Sequence, residues 1–165
     1  MAISRVLKHL STPAWVARRP FSAAVLDRIE SAVRRSETAH DAELRVALEA
    51  GIHLRALLRG QTARQRAIEV FSELRVWDTA HNSGVLIYLQ LVDRRIEIVA
   101  DRGISASVPQ QQWDSVCRGM EAAFGEGRFE QGVLAAIDET TALLARNFPR
   151  TAAKPDELPD RPAML

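Results

Sequence analysis

A chain of 165 residues that is 47% hydrophobic and 26% charged can bury about two-thirds of its unfolded surface in one compact domain, without disulfides or structural metal. Its 22 basic and 21 acidic side chains nearly cancel, which argues against a global electrostatic role on nucleic acid. The single cysteine, Cys117, excludes an internal disulfide and fits a reducing, cytoplasmic setting, while the longest apolar run, "GVLIYLQLV", falls far short of the ~20 residues of a membrane span.

Residues 1–21 form a basic arm, with Arg5, Lys8, Arg18 and Arg19 and no acid before Asp27. It superficially resembles an organellar presequence but lacks the continuous apolar core of a secretory signal, so the expectation is an arm packed on the domain through Leu7, Leu10 and Trp15. From Ser22, the apolar residues Val25, Leu26, Ile29, Ala32 and Val33 recur at three and four, which predicts an amphipathic helix ending near "SETAH". "ELRVALE", 43–49, then alternates and reads as a strand with one wetter face. Thr62 and Gln65 make a capping box, opening a second helix with the stripe Ala67, Val70, Phe71, Leu74 and Trp77.

A hairpin follows. Residues 84–92 are apolar on both sides, as a central strand is, and 95–101 returns after the "VDRR" turn. Pro109 can start a helix with the inner stripe Trp113, Val116, Cys117, Met120 and Phe124; "GEGR" breaks it, and Val133 to Phe148 carries the last helix. The tail, 149–165, is rich in proline and is expected to be an extended arm or disordered.

This order predicts an α/β fold, a three-layer α/β/α sandwich on a small mixed sheet, over 22–148. A strand-helix-strand crossover leaves 43–49 and 84–92 parallel, with 95–101 antiparallel to the second. One sheet edge therefore collects Glu37, His40, Asp41 and Glu43, then Asp78, Thr79, His81 and Asn82, then Asp101 and Arg102.

Carboxylates in such numbers suit a hard cation, Ca2+ or Mg2+, with Glu43, Asp78, Asp101 and His40 as candidate ligands. His81 is then a candidate general acid or base and Arg102 a phosphate clamp. The competing reading is that strand ends are wet and that these groups cap turns and pair with one another. No nucleotide-binding glycine motif is present; Cys117 lies on an apolar stripe, as an inert thiol does; and Arg55, Arg59, Arg64 and Arg66 lack the interleaved aromatics of a nucleic-acid platform.

"NSGVLIYLQLVDRRIEIVADRGIS", preceded by a helix and "VWDTAH" and followed by two helices, one opening at "GRFEQGVLAAI", resembles the TPM-domain family of bacterial proteins and their thylakoid-lumen relatives. The resemblance implies an α/β/α sandwich, a divalent-cation site of acidic residues, and a weak acid-phosphatase activity or an accessory role with a membrane-complex or other protein partner. Two positions depart from the family pattern: its Gly-x-Gly after the third strand is here Asp101-Arg102-Gly103, and its Asp-Asn-Gly before the second is Asn82-Ser83-Gly84. The signal peptide and membrane helix common in the family are not expected here.

Overall fold

The computed structural model describes residues 2–151 and 155–165; positions 1 and 152–154, in the basic arm and the tail, lie outside the described residues. The chain runs α1 (Ala2–Ser11), α2 (Ala14–Arg18), α3 (Ala23–Ser36), β1 (Glu43–Glu49), α4 (Leu54–Leu58), α5 (Ala63–Glu73), β2 (Gly84–Gln90), β3 (Arg95–Ala100), α6 (Arg102–Ser105), α7 (Gln110–Gly125), α8 (Phe129–Asn147) and β4 (Ala163–Met164).

Local chemistry sets the helix starts. Ser22 Oγ accepts from Val25 N ahead of α3, and Thr62 and Gln65 close the expected capping box of α5. The strand order is β3-β2-β1-β4: β1 and β2 are parallel, pairing Glu43 with Gly84, and β2 and β3 are antiparallel, pairing Val85 with Ala100. Alternate strand residues divide the core. Leu44, Val46, Leu48, Val85, Ile87, Leu89 and Ile98 pack under α3, α7 and α8, while Ala47, Leu86, Tyr88 and Val99 meet Ala67, Val70 and Phe71 of α5, completing the α/β/α sandwich.

Two expectations are corrected. All of β1 is buried, including Arg45 and Glu49: the tail covers Arg45, since β4 pairs with β1 at Ala47–Ala163 and Arg45 donates to the carbonyls of Pro159 and Arg161, while Glu49 is covered by Arg66 of α5 and Tyr88 of β2. In the N-terminal arm, Leu7, Leu10 and Trp15 are exposed, since α1 faces the domain with its polar residues. Arg5 Nε meets Asp93 Oδ2 at 2.7 Å, and His9 Nδ1 accepts from Ile52 N at 3.2 Å.

Gly84 brings β2 to the edge described below. A Cβ there would collide with the carbonyl of Val76, so the helix-to-strand connection can lie directly on the first residue of β2.

Candidate functional site

The three strand ends meet as the topology requires. Glu43 N donates to Ser83 O at 3.1 Å and Asp101 N to Gly84 O at 2.8 Å, so the backbone carries Glu43, Ser83 and Asp101 side by side. Gly103 allows α6 to close against this edge, because a Cβ there would lie 2.6 Å from Asn82 O.

The side chains then diverge. Glu43 is fully buried, and its Oε2 accepts the backbone N–H groups of Glu157 and Leu158 at 3.3 and 3.2 Å. His40, also fully buried, sets Nδ1 3.1 Å from Ala42 O and Nε2 2.9 Å from Ser36 Oγ, so both ring nitrogens are engaged within the fold. Asp78 is exposed and pairs with Arg75 at 2.9 Å, one helical turn away in sequence. Asp101 caps α6 with Oδ1 on Arg102 N at 2.7 Å, leaving a buried Oδ2 without a partner. Arg102 donates to Asn82 Oδ1 at 3.0 Å, and His81 is exposed.

Thus Glu43, Asp78, Asp101 and His40 share an edge without converging on a point, and His81 and Arg102 do not form a single catalytic pair. His81 instead stands on the rim of a cavity of about 630 Å³ with apolar walls from Ile104, Phe148, Pro149 and Pro155 and polar groups from Asp41, Ser83 and Glu157.

Beside it lies a cleft of about 220 Å³ lined by Glu37, Glu43, Asp156 and Asp160 together with Arg34 and Arg150. Glu37, Asp156 and Asp160 each offer a carboxylate oxygen, all within 4.8 Å of one another. Glu37 is 8% exposed and Asp160 7%. Asp160 Oδ2 accepts from Arg34 Nε at 3.0 Å, but its Oδ1 is buried with no partner. Burial, reinforced by the Asp156 charge and opposed by Arg34, pushes the Asp160 carboxyl above the ordinary range.

The TPM domain model matches residues 19–143. The chain belongs to the TPM-domain family. Among solved structures, this TPM domain is similar to the BA42 protein of the psychrophilic bacterium Bizionia argentinensis, with 30% identity and a TM-score of 0.76 over 87% of this chain and 94% of that one. It also shares its fold with the N-terminal domain of a protein from P. gingivalis, at 15% identity and a TM-score of 0.62 over 81% of this chain and 83% of that one. No curated protein matches the sequence.

Chemically, the cleft is an oxygen-donor set with more negative than positive charge. Three protein carboxylates in one cleft suit Ca2+, which accepts flexible cages of many oxygen ligands, better than Mg2+, which binds through one or two carboxylates and keeps several of its waters. Sequence reasoning found Glu37 at this edge but missed Asp156 and Asp160, since it read the tail as an arm without a place in the fold. The signal available was the motif "PDELPD": two aspartates four apart, each directly after a proline, in a segment stiff enough to present them together.

Proposed function

We propose that this TPM domain is a divalent-cation-binding accessory module, in which a calcium ion held by Glu37, Asp156 and Asp160 fastens the C-terminal tail across the acidic edge of the sheet. The observation that carries this reading is the buried, unpartnered Asp160 Oδ1 in a cleft of carboxylates. Such an atom costs stability where it stands, and a cation would repay that cost. Glu37 comes from the end of α3 and the two aspartates from the tail, so ion binding ties together segments more than 100 positions apart in sequence. The tail in turn supplies Thr151, Pro155 and Glu157 to the neighbouring cavity, the place where a protein partner's side chain would seat. The single free thiol fits a cytoplasmic setting.

A metal-dependent phosphomonoesterase is the rival reading, favoured by His81 on the cavity rim. It has less support, because the clamp Arg102 is held by Asn82 and Asp78 by Arg75.

Thermal melting with calcium or magnesium, on the wild-type chain and Asp160→Asn, tests the proposal. Calcium at tenfold over its Kd should add ~1.4 kcal/mol, a rise of roughly 3–6 °C in Tm, with less for magnesium and none for Asp160→Asn. An unchanged wild-type melt at millimolar calcium would remove the cation site. Turnover of a chromogenic phosphate ester that disappears in His81→Ala would instead establish the enzyme.

A further inference from the structure

We infer that the end of the domain formed by α1, α2 and α4, at the edge opposite the carboxylate cleft, is a peripheral docking surface for an anionic lipid bilayer. The first observation is that α1 is inside out. A surface helix of a globular domain turns its apolar stripe inward and its charges to water. Here the inward positions are Arg5 and His9, held by Asp93, by the Gln61 carbonyl and by Ile52 N, while Leu7 and Leu10 are 60% and 64% exposed. Those polar contacts fix the helix with its apolar side facing out. Trp15 of α2, 71% exposed, and Leu54 and Leu58 of α4, 44% and 69% exposed, extend the same apolar end. Of the nine large hydrophobic side chains exposed among the described residues, six belong to these three helices. That density marks a surface made to be covered.

The second observation is charge. Residues 1–26 and 50–68 contain no aspartate or glutamate. The packing of α1 on α4 brings these two acid-free segments together. Lys8, Arg19, Arg55 and Arg59 are exposed, and none of the ion pairs among the described residues involves them, whereas Arg5, Arg64 and Arg66 are each matched to a carboxylate. Exposed leucines and a tryptophan interspersed with unpaired cations fit the headgroup boundary of an anionic membrane: the apolar groups enter, and the cations meet lipid phosphates. A second copy of this face would oppose cation to cation. No helix among the described residues is long and apolar enough to cross a membrane, so the contact is peripheral. This inference is independent of the cation reading.

Vesicle co-sedimentation of the full chain tests it, with vesicles of phosphatidylcholine alone or mixed with phosphatidylglycerol and with EDTA present so that the carboxylate cleft takes no part. The expected result is binding to the anionic vesicles that weakens as salt rises, with little on the neutral ones. Arg55→Gln/Arg59→Gln should lower the partition coefficient roughly 25-fold, about fivefold per charge. Leu7→Ser/Leu10→Ser should lower it at least as far. All four side chains are exposed, so both variants should melt with the wild type, and matching melts exclude misfolding as the cause. Equal binding to neutral and anionic vesicles, no binding, or binding unchanged in both variants would overturn the inference. So would a concentration-dependent dimer that Leu7→Ser/Leu10→Ser dissolves without any vesicle binding, which would assign the face to a second copy.

Discussion

Glu43 Oε2 accepts the backbone N–H of Leu158 at 3.2 Å, across 115 positions of chain, and the neighbouring N–H of Glu157 at 3.3 Å. A carboxylate at the first position of the central parallel strand thus acts as the acceptor that holds the tail against the sheet. The same contact places Asp156 and Asp160 on either side of the clasp, where they complete the cleft.

The first prediction concerns this clasp. Glu43→Gln keeps an amide oxygen that can accept but removes the charge assistance, and should cost about 1 kcal/mol. Glu43→Ala leaves two N–H groups unmatched beside a new cavity and should cost about 3 kcal/mol. Urea unfolding gives both values. If Glu43→Ala unfolds within error of wild type, the tail is held by its other contacts, those of Arg45, Arg34 and β4 among them.

Asp160 supplies a pH signature. Its carboxyl is held above the ordinary value, burial being the first cause and the Asp156 charge a further one. The folded protein therefore holds this proton more tightly than the unfolded chain does. The ionised form is a penalty at neutral pH, and it is relieved as pH falls through the raised folded value towards the ordinary carboxylate value. Without calcium, Asp160→Asn should melt at or slightly above wild type near neutrality, and the two should converge as pH falls through that window. With calcium the order reverses, because a bound cation needs the ionised carboxylate, and the wild-type gain should fade with acidification. Melting curves across that range with and without calcium read both effects. An Asp160→Asn that is strongly destabilised at neutral pH without calcium would show that its bond to Arg34 outweighs the burial penalty.

Periodicity carried the fold because each strand face was committed to one layer. Leu44, Val46 and Leu48 alternate with Arg45 and Ala47, and the run 84–92 has no polar residue before Gln90, so strand positions and parallel pairing follow from elementary patterning. Arg45 and Glu49 misled for a physical reason. Charged residues at alternate positions signal solvent unless something else covers them; the cover for Arg45 is a proline-rich tail with no periodicity of its own, and for Glu49 it is Arg66 and Tyr88. The α1 helix misled in the reverse sense: Leu7 and Leu10 were expected to pack, but Arg5 and His9 find buried partners in Asp93 and Ile52, which lie far away in sequence. The edge itself was legible, because topology alone brings Glu43, His40 and Asp101 to it. Their divergence was not, since it is decided by a backbone N–H from the tail, by Ser36, and by the turn at Asp101.

The last prediction lies at the other edge of the sheet, where Glu49 could be mistaken for a second site. Glu49, 4% exposed, accepts from Tyr88 Oη at 2.5 Å and from Arg66 at 2.9 Å, and Arg66 also meets Glu69 and Glu73 at 3.1 and 2.7 Å. Burial and the Glu49 charge push the Tyr88 hydroxyl well above its ordinary value, so it remains a donor at any physiological pH. Every polar group here has a partner, the mark of a structural network. Glu49→Ala strands the Tyr88 hydroxyl and a mostly buried guanidinium, and should cost about 3–5 kcal/mol. Arg66→Met leaves the Glu49 carboxylate with Tyr88 as its remaining strong donor and should cost a similar amount. The double variant Glu49→Leu/Arg66→Met removes both charges and should be less destabilised than the sum of the two single changes, by at least ~1 kcal/mol. Urea unfolding of the four chains closes the cycle, and strict additivity would show that the pair is not coupled and that Arg66 is held by Glu69 and Glu73 alone.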